Sequence, residues 1–423
     1  MDTLGCAKNQ VDSEMLMSCL SGEGWELSAS GDADLIIVNS CGFIESAKRE
    51  SINTVLSFRA LFPQKKIVLA GCLAARYAGE LRESLPEADL ICPSSDPREV
   101  AAFVCGKKDA GGKINDGARP LLSLPGSAYL KIAEGCNNAC SFCAIPLIRG
   151  NLRSRTIPDI HEEFALLLRR GIKEVCLIAQ DTAAYGAETE GKPRLAALLA
   201  NLLESDGDFW IRLLYLHPDH FPEALLPLMQ ADARLLPYFD IPFQHASKKT
   251  LSSMGRLGDS DTYLQLIRTI RAALPNAVLR STFLVGFPGE TDADFEELLA
   301  FQQNAALDWA GVFSYSPEEG TPAFTLKNRP AKKVAAARKT RLEEAQLSLS
   351  EKKLERFISK TLDVLVEEKI EGEAGLYLGR SYGQAPEVDG AIVLETAPVA
   401  ALAPGSFVRG EIFARAGLDL RLR

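Results

Sequence analysis

No stretch of this 423-residue chain approaches 18 consecutive apolar residues, and its first residues, MDTLGCAKN, lack a basic start followed by an apolar segment. Membrane spanning and secretion are therefore not expected, and the cytoplasm is the expected compartment. Positive charge is in short supply: 47 Lys and Arg stand against 56 Asp and Glu, a net charge of −9. That is a poor match to a protein that wraps DNA or RNA over its whole surface, although a local basic patch stays compatible with it. There is no low-complexity tract and no internal repeat, which argues against disorder and fibrous architectures. No Ser-His-Asp order, P-loop or zinc-protease signature is present, so ordinary hydrolysis has no support.

What is present is the 47% hydrophobic and 24% charged content of an ordinary globular protein, on a length that suits roughly two to four domains. From Met1 to about Arg119 the short apolar runs DLIIVNSC, KIVLAGC and ADLICP are each followed by a helical pattern, which predicts an open parallel α/β sheet. GKKDAGGKINDGARP (106–120) is polar and glycine-rich and reads as a linker. Then six runs recur: YLKIA, EVCLIAQ, WIRLLYL, LPYFDIP, VLRSTFLVGF and AGVFSYS. Amphipathic stretches such as DIHEEFALLLRR and DADFEELLAFQQ separate them. Six βα units without a hairpin predict a partial (β/α)6 barrel, whose chemistry gathers at the C-terminal strand ends. A charged helix over about 331–357 follows. After it, period-two runs (TLDVLVEE, GLYLGR, GAIVLE, SFVRGEIFAR, LDLRLR) predict a small all-β barrel of the oligonucleotide-fold type. The expected domains are 1–118, 119–356 and 357–423, with a monomer as the default state.

Ten cysteines in a chain without an export signal read as reduced thiols: metal ligands, nucleophiles or small buried apolar residues. Cys136, Cys140 and Cys143, in EGCNNACSFCAIPLIRG directly after the first barrel strand, form the strongest motif. Structural zinc would want a fourth Cys or His nearby, and none lies within ten residues. Three thiolates on a four-iron cluster leave one iron open to a small molecule. The gap of three and then two residues resembles the radical S-adenosylmethionine (SAM) superfamily, in which the open iron chelates SAM and the reduced cluster cleaves it to a 5′-deoxyadenosyl radical. A second set, Cys6, Cys41 and Cys72, ends three strand-like segments of the first domain, where an open α/β sheet gathers its ligands. Cys92 also ends such a run, so the residues alone leave the choice open.

Taken together, these residues resemble the methylthiotransferase family of the radical SAM superfamily over essentially the whole chain. That resemblance implies an N-terminal cluster domain, a radical SAM partial barrel and a C-terminal TRAM β-barrel. It implies two [4Fe-4S] clusters, with Cys6, Cys41 and Cys72 matching the family's N-domain ligands within LGCAKNQVDSE, NSCGFIESAKRES and AGCLAARY. Cys19, Cys92, Cys105 and Cys176 match no ligand position and read as small apolar residues. SAM would serve twice, as methyl donor and as radical source. One branch of the family modifies adenosine in transfer RNA. The other, of RimO type, adds a methylthio group to the β-carbon of an aspartate in small-subunit ribosomal protein twelve. LGCAKNQVDSE, CGFIESAKRES, LIAQDTAAYG, WIRLLYLHP and YFDIPFQHAS look like the second branch. The resemblance also implies an electron-donating reductase and a sulfur donor as partners. A transfer-RNA enzyme, or a non-enzymatic iron–sulfur electron carrier, is the alternative.

The residues from Phe357 to the end carry seven Lys or Arg and ten Asp or Glu, a net charge of −3. A domain that grips a phosphate backbone should be basic, whereas an acidic one suits a basic protein or simply solubility. Gln180, Asp181, Gln244 and His245 fall at predicted strand ends and are candidates for SAM or substrate contacts. Gly286 and Gly289 in VGFPGET resemble the superfamily's adenine-side segment, or serve a tight strand-to-helix turn. His217 also lies at a strand end, while His161 and His220 read as polar surface. Arg149, Arg153 and Arg155 form the one basic run, suited to the SAM carboxylate, an acidic substrate group, or a solvated face. Family members usually carry a full apolar strand before the first cysteine, where this chain has only MDTLG. A weakly anchored start, or a truncated one, is the expectation there.

Overall fold

The computed structural model describes residues 1–108, 119–397 and 401–423, so most of the expected linker lies outside the described residues. The first unit is a four-stranded parallel sheet in the order β1-β2-β3-β4. Its strands are Asp2–Thr3 (β1), Leu35–Ser40 (β2), Lys66–Gly71 (β3) and Leu90–Ile91 (β4). Helices Ala7–Gly22 (α1), Glu45–Leu61 (α2), Cys72–Ser84 (α3) and Pro97–Val104 (α4) follow the strands in turn. The unbroken apolar runs of β2 and β3 arise because both faces are covered. Ile36, Val38, Ile67 and Leu69 meet Val55 of α2 and Leu81 of α3. Ile37, Val68 and Ala70 on the opposite face meet Leu16 of α1 and Val100 of α4. The strand before Cys6 is short, as expected, with Asp2 opposite Val38 and Thr3 opposite Asn39.

The central unit follows the six expected runs: Ser127–Lys131 (β5), Glu174–Ile178 (β8), Trp210–Leu213 (β9), Leu235–Asp240 (β10), Val278–Val285 (β11) and Trp309–Ser314 (β12). All pair in parallel in the order β12-β11-β10-β9-β8-β5, an arc left open between its two edge strands. An antiparallel pair absent from the sequence reading, Ala133–Glu134 (β6) with Arg153–Ser154 (β7), clasps the base of the cysteine loop. The intervening helices are Ile145–Arg149 (α5), Ile157–Arg169 (α6), Ala187–Glu190 (α7), Leu195–Leu203 (α8), Leu225–Ala231 (α9), Lys248–Ser253 (α10), Ser260–Ala273 (α11) and Asp292–Ala305 (α12). The apolar stripes of α6, α8, α11 and α12, among them Phe164, Leu198, Ile267 and Phe295, form one core with the sheet. The long helix Lys332–Leu354 (α13) closes the unit.

The terminal unit is a closed five-stranded barrel of Thr361–Lys369 (β13), Leu376–Arg380 (β14), Ile392–Glu395 (β15), Phe407–Ala416 (β16) and Asp419–Leu422 (β17). Its core, including Val364, Leu394 and Ile412, is continuous with Tyr129, Cys176, Trp210 and Tyr238 of the central sheet. Glu174, at the first position of β8, is wholly buried between Arg212 (2.7 Å) and Arg380 (2.6 Å), and Arg380 also reaches Ser127 (3.0 Å). Because Ser127 and Glu174 begin their strands, this part of the seam lies at the N-terminal strand ends and leaves the C-terminal ends of β5 and β8 to the first unit. The α/β class with a partial barrel and a terminal β-barrel is thus borne out.

Burial alone would raise the Glu174 carboxyl, but the two guanidinium groups outweigh it and hold it down to about 2. A depressed folded-state value contributes stability above the unfolded carboxylate range that is lost as pH falls through about 2. Glu174→Gln, which leaves buried Arg212 without a carboxylate and Arg380 with Glu367 alone, should cost about 3–5 kcal/mol at pH 7 in urea unfolding. The penalty should narrow as pH drops below the unfolded value, since protonation then does to the wild type what the substitution does.

Candidate functional site

Gly135 precedes the central cysteine loop at φ +77, and a Cβ there would collide with the Asn151 carbonyl. The loop that follows is held on both sides. Cys136 N donates to Gly150 O (3.1 Å), Ser141 N to Met254 O (2.9 Å) and Ala323 N to Ser141 O (2.8 Å). Gly255, at φ +75, lets its backbone run against the Ala139 carbonyl. Within the loop, Asn138 N points at Cys136 Sγ (3.4 Å), and Ile145 N, opening α5, at Cys143 Sγ (3.5 Å). Burial pushes the Cys136 thiol up and the Cys143 thiol up to about 12. Coordination would therefore have to displace protons, with the amides ready to stabilise the sulfur charge.

Cys6 caps α1, Cys41 follows β2 and Cys72 opens α3 directly after β3, so three neighbouring strand ends bring them together. Cys41 feels both other sulfurs, and burial pushes it up to about 11; burial raises Cys72 as well. Close packing depends on two glycines: a Cβ on Gly5 would sit 3.0 Å from Cys41 Sγ, and one on Gly42 would sit 2.7 Å from Leu73 Cα. Cys92 does not converge with this trio. It is buried with Leu16, Leu20 and Val100 between the sheet and helices α1 and α4. Cys176 is buried in the seam below the terminal barrel, while Cys19 and Cys105 are half-buried at the edge of the Cys92 cluster.

The supports of the two trios meet across the domain boundary. Cys72 packs on Ala144 and Ile148, the cap and the next-to-last residue of the short helix that follows Cys143. The last residue of that helix, Arg149, donates to Asp12 Oδ2 (2.6 Å), Asn9 Oδ1 (2.6 Å), Glu134 Oε2 (3.3 Å) and Cys72 Sγ (3.0 Å). Lys131 joins Asp12 and Glu134 to complete the network. Burial would raise the Glu134 carboxyl, but Lys131 and Arg149 bring it to about 2. The expectation for the basic run is corrected here. Arg149 is neither a solvated residue nor open to a ligand carboxylate. Arg155 is taken by Asp159 (2.6 Å) and Glu163 (2.5 Å), and only Arg153 is exposed.

Gln180 donates to Glu134 Oε1 (2.5 Å), and its own Oε1 has no hydrogen-bond partner. Asp181 accepts from Asn138 Nδ2 (2.7 Å), the Ala183 amide (3.0 Å) and the His217 amide (3.4 Å), so it props the cysteine loop. His220, read as surface, pairs with Asn138 Oδ1 (2.8 Å) and stacks on His217. Their shared motif, YLHPDH, was the available signal. His161 bonds Asn201 and stays outside the site. Gln244 adopts φ +68 and bridges to β11. His245 is fully buried beside Asp294 and Arg338, its Nε2 unpartnered, with burial lowering it to about 4. Gly286 abuts Ala335 of α13, whose Cβ would lie 2.6 Å from an added one, whereas Gly289 has open space around it. Lys8, Tyr215 and Glu134 were not singled out by the sequence reading. Lys8 Nζ lies 3.4 Å from the centre of the Tyr215 ring.

The donor chemistry fits an iron–sulfur group at each trio: three soft sulfurs, gathered on one loop in the central unit and from three neighbouring strand ends in the first, with amide or guanidinium donors aimed at them. No other cysteine joins either trio among the described residues. Residues 1–93 match the uncharacterized protein family UPF0004, residues 130–301 the radical SAM superfamily and residues 358–421 the TRAM domain. Similar proteins include the ribosomal protein uS12 methylthiotransferase RimO of Treponema denticola, 46% identical over 99% of each chain. The protein of that name from Aquifex aeolicus is 43% identical over 93% of this chain and 90% of the relative. That from Thermotoga maritima is 41% identical over 92% of each. Among solved structures, the radical SAM methyltransferase TsrM from Kitasatospora setae, with cobalamin and a [4Fe-4S] cluster bound, shares the fold. Its TM-score is 0.55 at 15% identity, over 74% of this chain and 73% of that one.

Proposed function

The chain belongs to the radical SAM methylthiotransferase family of RimO type, an enzyme family, and from that premise we propose that it inserts a methylthio group at the β-carbon of an aspartate in ribosomal protein uS12. The observation that carries the reading is the seam of Cys72 against Ala144 and Ile148, which sets one cysteine trio beside the other. Cys136, Cys140 and Cys143 would hold one [4Fe-4S] cluster with SAM at its open iron, and Cys6, Cys41 and Cys72 a second. When bound, the reduced cluster and SAM supply the hydrogen abstraction that an unactivated C–H bond requires and no side chain provides.

The remaining work falls to the chain. The amides of Asn138 and Ile145 and the guanidinium of Arg149 orient the sulfurs and offset their charge. In this reading Gln180, Gln244 and Gly289 would touch SAM, Asp181 would prop the cysteine loop, and His245 and Gly286 would hold the strand ends against α12 and α13. A reductase supplies electrons, a separate donor supplies sulfur, and the reaction belongs in the cytoplasm, where uS12 is made. No helix of the described residues is long and apolar enough to cross a membrane.

Mass spectrometry of uS12 and of bulk transfer RNA, from cells with and without the chain, is the deciding measurement. A methylthio mass gain on uS12 that depends on the chain is expected. A gain confined to transfer RNA would move the enzyme to the other branch. Failure to form 5′-deoxyadenosine from SAM and a strong reductant would leave only an electron carrier.

A further inference from the structure

We propose that Lys8 receives the side-chain carboxylate of the substrate, a specificity role that rests on the reading of an aspartate as the target. Lys8 lies in the first turn of α1, two residues after Cys6. Its ammonium sits over the ring of Tyr215, two residues beyond the end of β9, so it overhangs the mouth of the central barrel from the N-terminal unit. Tyr215 is held in that place at φ +63, a region a tyrosine rarely enters, by its amide on Asp240 Oδ2 (3.0 Å) and its carbonyl on Thr182 N (2.9 Å). Backbone strain at the strand end is thus spent on setting an aromatic face under a cation.

Lys8 is only 9% exposed, and no carboxylate among the described residues forms an ion pair with it. The nearby acids are committed elsewhere. Asp240 accepts from the Tyr215 amide and faces Arg280 (3.8 Å), and Asp12, one turn along α1, is shared by Lys131 and Arg149. The other buried cations of this boundary all have acids: Arg149 pairs with Asp12, Lys131 with Asp12 and Glu134, and Arg76 with Glu318. A buried ammonium that leans on a tyrosine and a thiol, with no carboxylate in ion-pair contact among the described residues, still has room for an anion to meet it. Its surroundings suit a small, singly charged anion: the neighbours are the Tyr215 side chain, the Cys6 thiol and Asp240, and the other cations of this boundary, Arg149, Lys131 and Arg280, are each held by acids of their own. A neutral heterocyclic base would leave the ammonium unpaired, so the same residue would select against nucleic-acid targets.

The test uses full-length, iron-loaded protein with SAM and two fluorescent uS12 peptides, one with the target Asp and one with Asn in its place. Binding is read by anisotropy and KM by methylthio transfer. Wild type should favour the Asp peptide by at least tenfold. Lys8→Met, which keeps the aliphatic stem, should lose most of that preference, and Lys8→Arg should retain it. Because each ratio is taken within one variant, partial misfolding cancels from it, and iron counting checks the fold independently. An Asp-to-Asn ratio in Lys8→Met equal to that of wild type would overturn the assignment, as would a wild type indifferent to the two peptides. Failure of the underlying functional reading is separately visible, as intact uS12 that gains no methylthio mass with the wild-type enzyme.

Discussion

Cys140→Ala is expected to carry about four irons where the wild type carries about eight, and to form no 5′-deoxyadenosine from SAM and dithionite. Cys41→Ala is expected to lose the same amount of iron and still form it. The two outcomes differ because the trios stand on separate supports. The first hangs on a loop pinned by Met254, Ala323 and the Gly150 carbonyl, the second on the ends of β2 and β3 and the first turn of α1. Removing one of three sulfurs leaves two, too few to keep a four-iron group, without disturbing the other support. Both variants should be inactive on uS12, since hydrogen abstraction and sulfur insertion are each indispensable. Anaerobic reconstitution with iron and sulfide counting, followed by chromatography of the nucleoside product, reads the result. Eight irons retained by either variant would remove that cysteine from the ligand set.

The strands were legible in the sequence because their burial is extreme. Runs such as VCLI and IVLAG are apolar at every position since helices or a second barrel cover both faces, and the terminal strands alternate because only one face meets a core. The central cysteine trio was legible because its spacing is local. The N-terminal trio was not, until a family resemblance separated Cys92 from Cys72. Both end strands, and only the three-dimensional fold puts one under α1 and α4 and the other against Ala144. Arg149 was misread for a related reason. In IRGNLRSR it looks like part of a solvated basic run, but its carboxylate partner Asp12 lies 137 positions away, in another domain. Lys8 escaped notice because a lysine in an amphipathic helix is ordinarily at the surface, and nothing in LGCAKNQVDSE tells that Tyr215 covers it. Long-range electrostatic pairing is invisible to composition and periodicity, and this site is built from it.

Arg149→Met should destabilise the iron-free protein by about 3–5 kcal/mol, measured as the shift in urea unfolding, because it leaves acids buried against a single lysine. The guanidinium is nearly inaccessible (3% side-chain exposure) and binds four acceptors at once, which a flexible ammonium cannot reproduce, so Arg149→Lys should recover only part of the loss. Arg194→Ala supplies the contrast. It breaks an exposed pair with Glu190 and should cost no more than about 0.5 kcal/mol. Adding Asp12→Asn to Arg149→Met should cost less than the two changes apart, since removing the acid relieves what removing the base left behind. The effect should also reach the metal sites. Without Arg149 the Cys72 sulfur loses its only side-chain donor among the described residues, and iron at the N-terminal trio should be released faster to a chelator while the central trio holds its own. A penalty as small as that of Arg194→Ala would mean that water already shares this network. The alignment of the two trios would then rest on the apolar seam of Cys72, Ala144 and Ile148 alone.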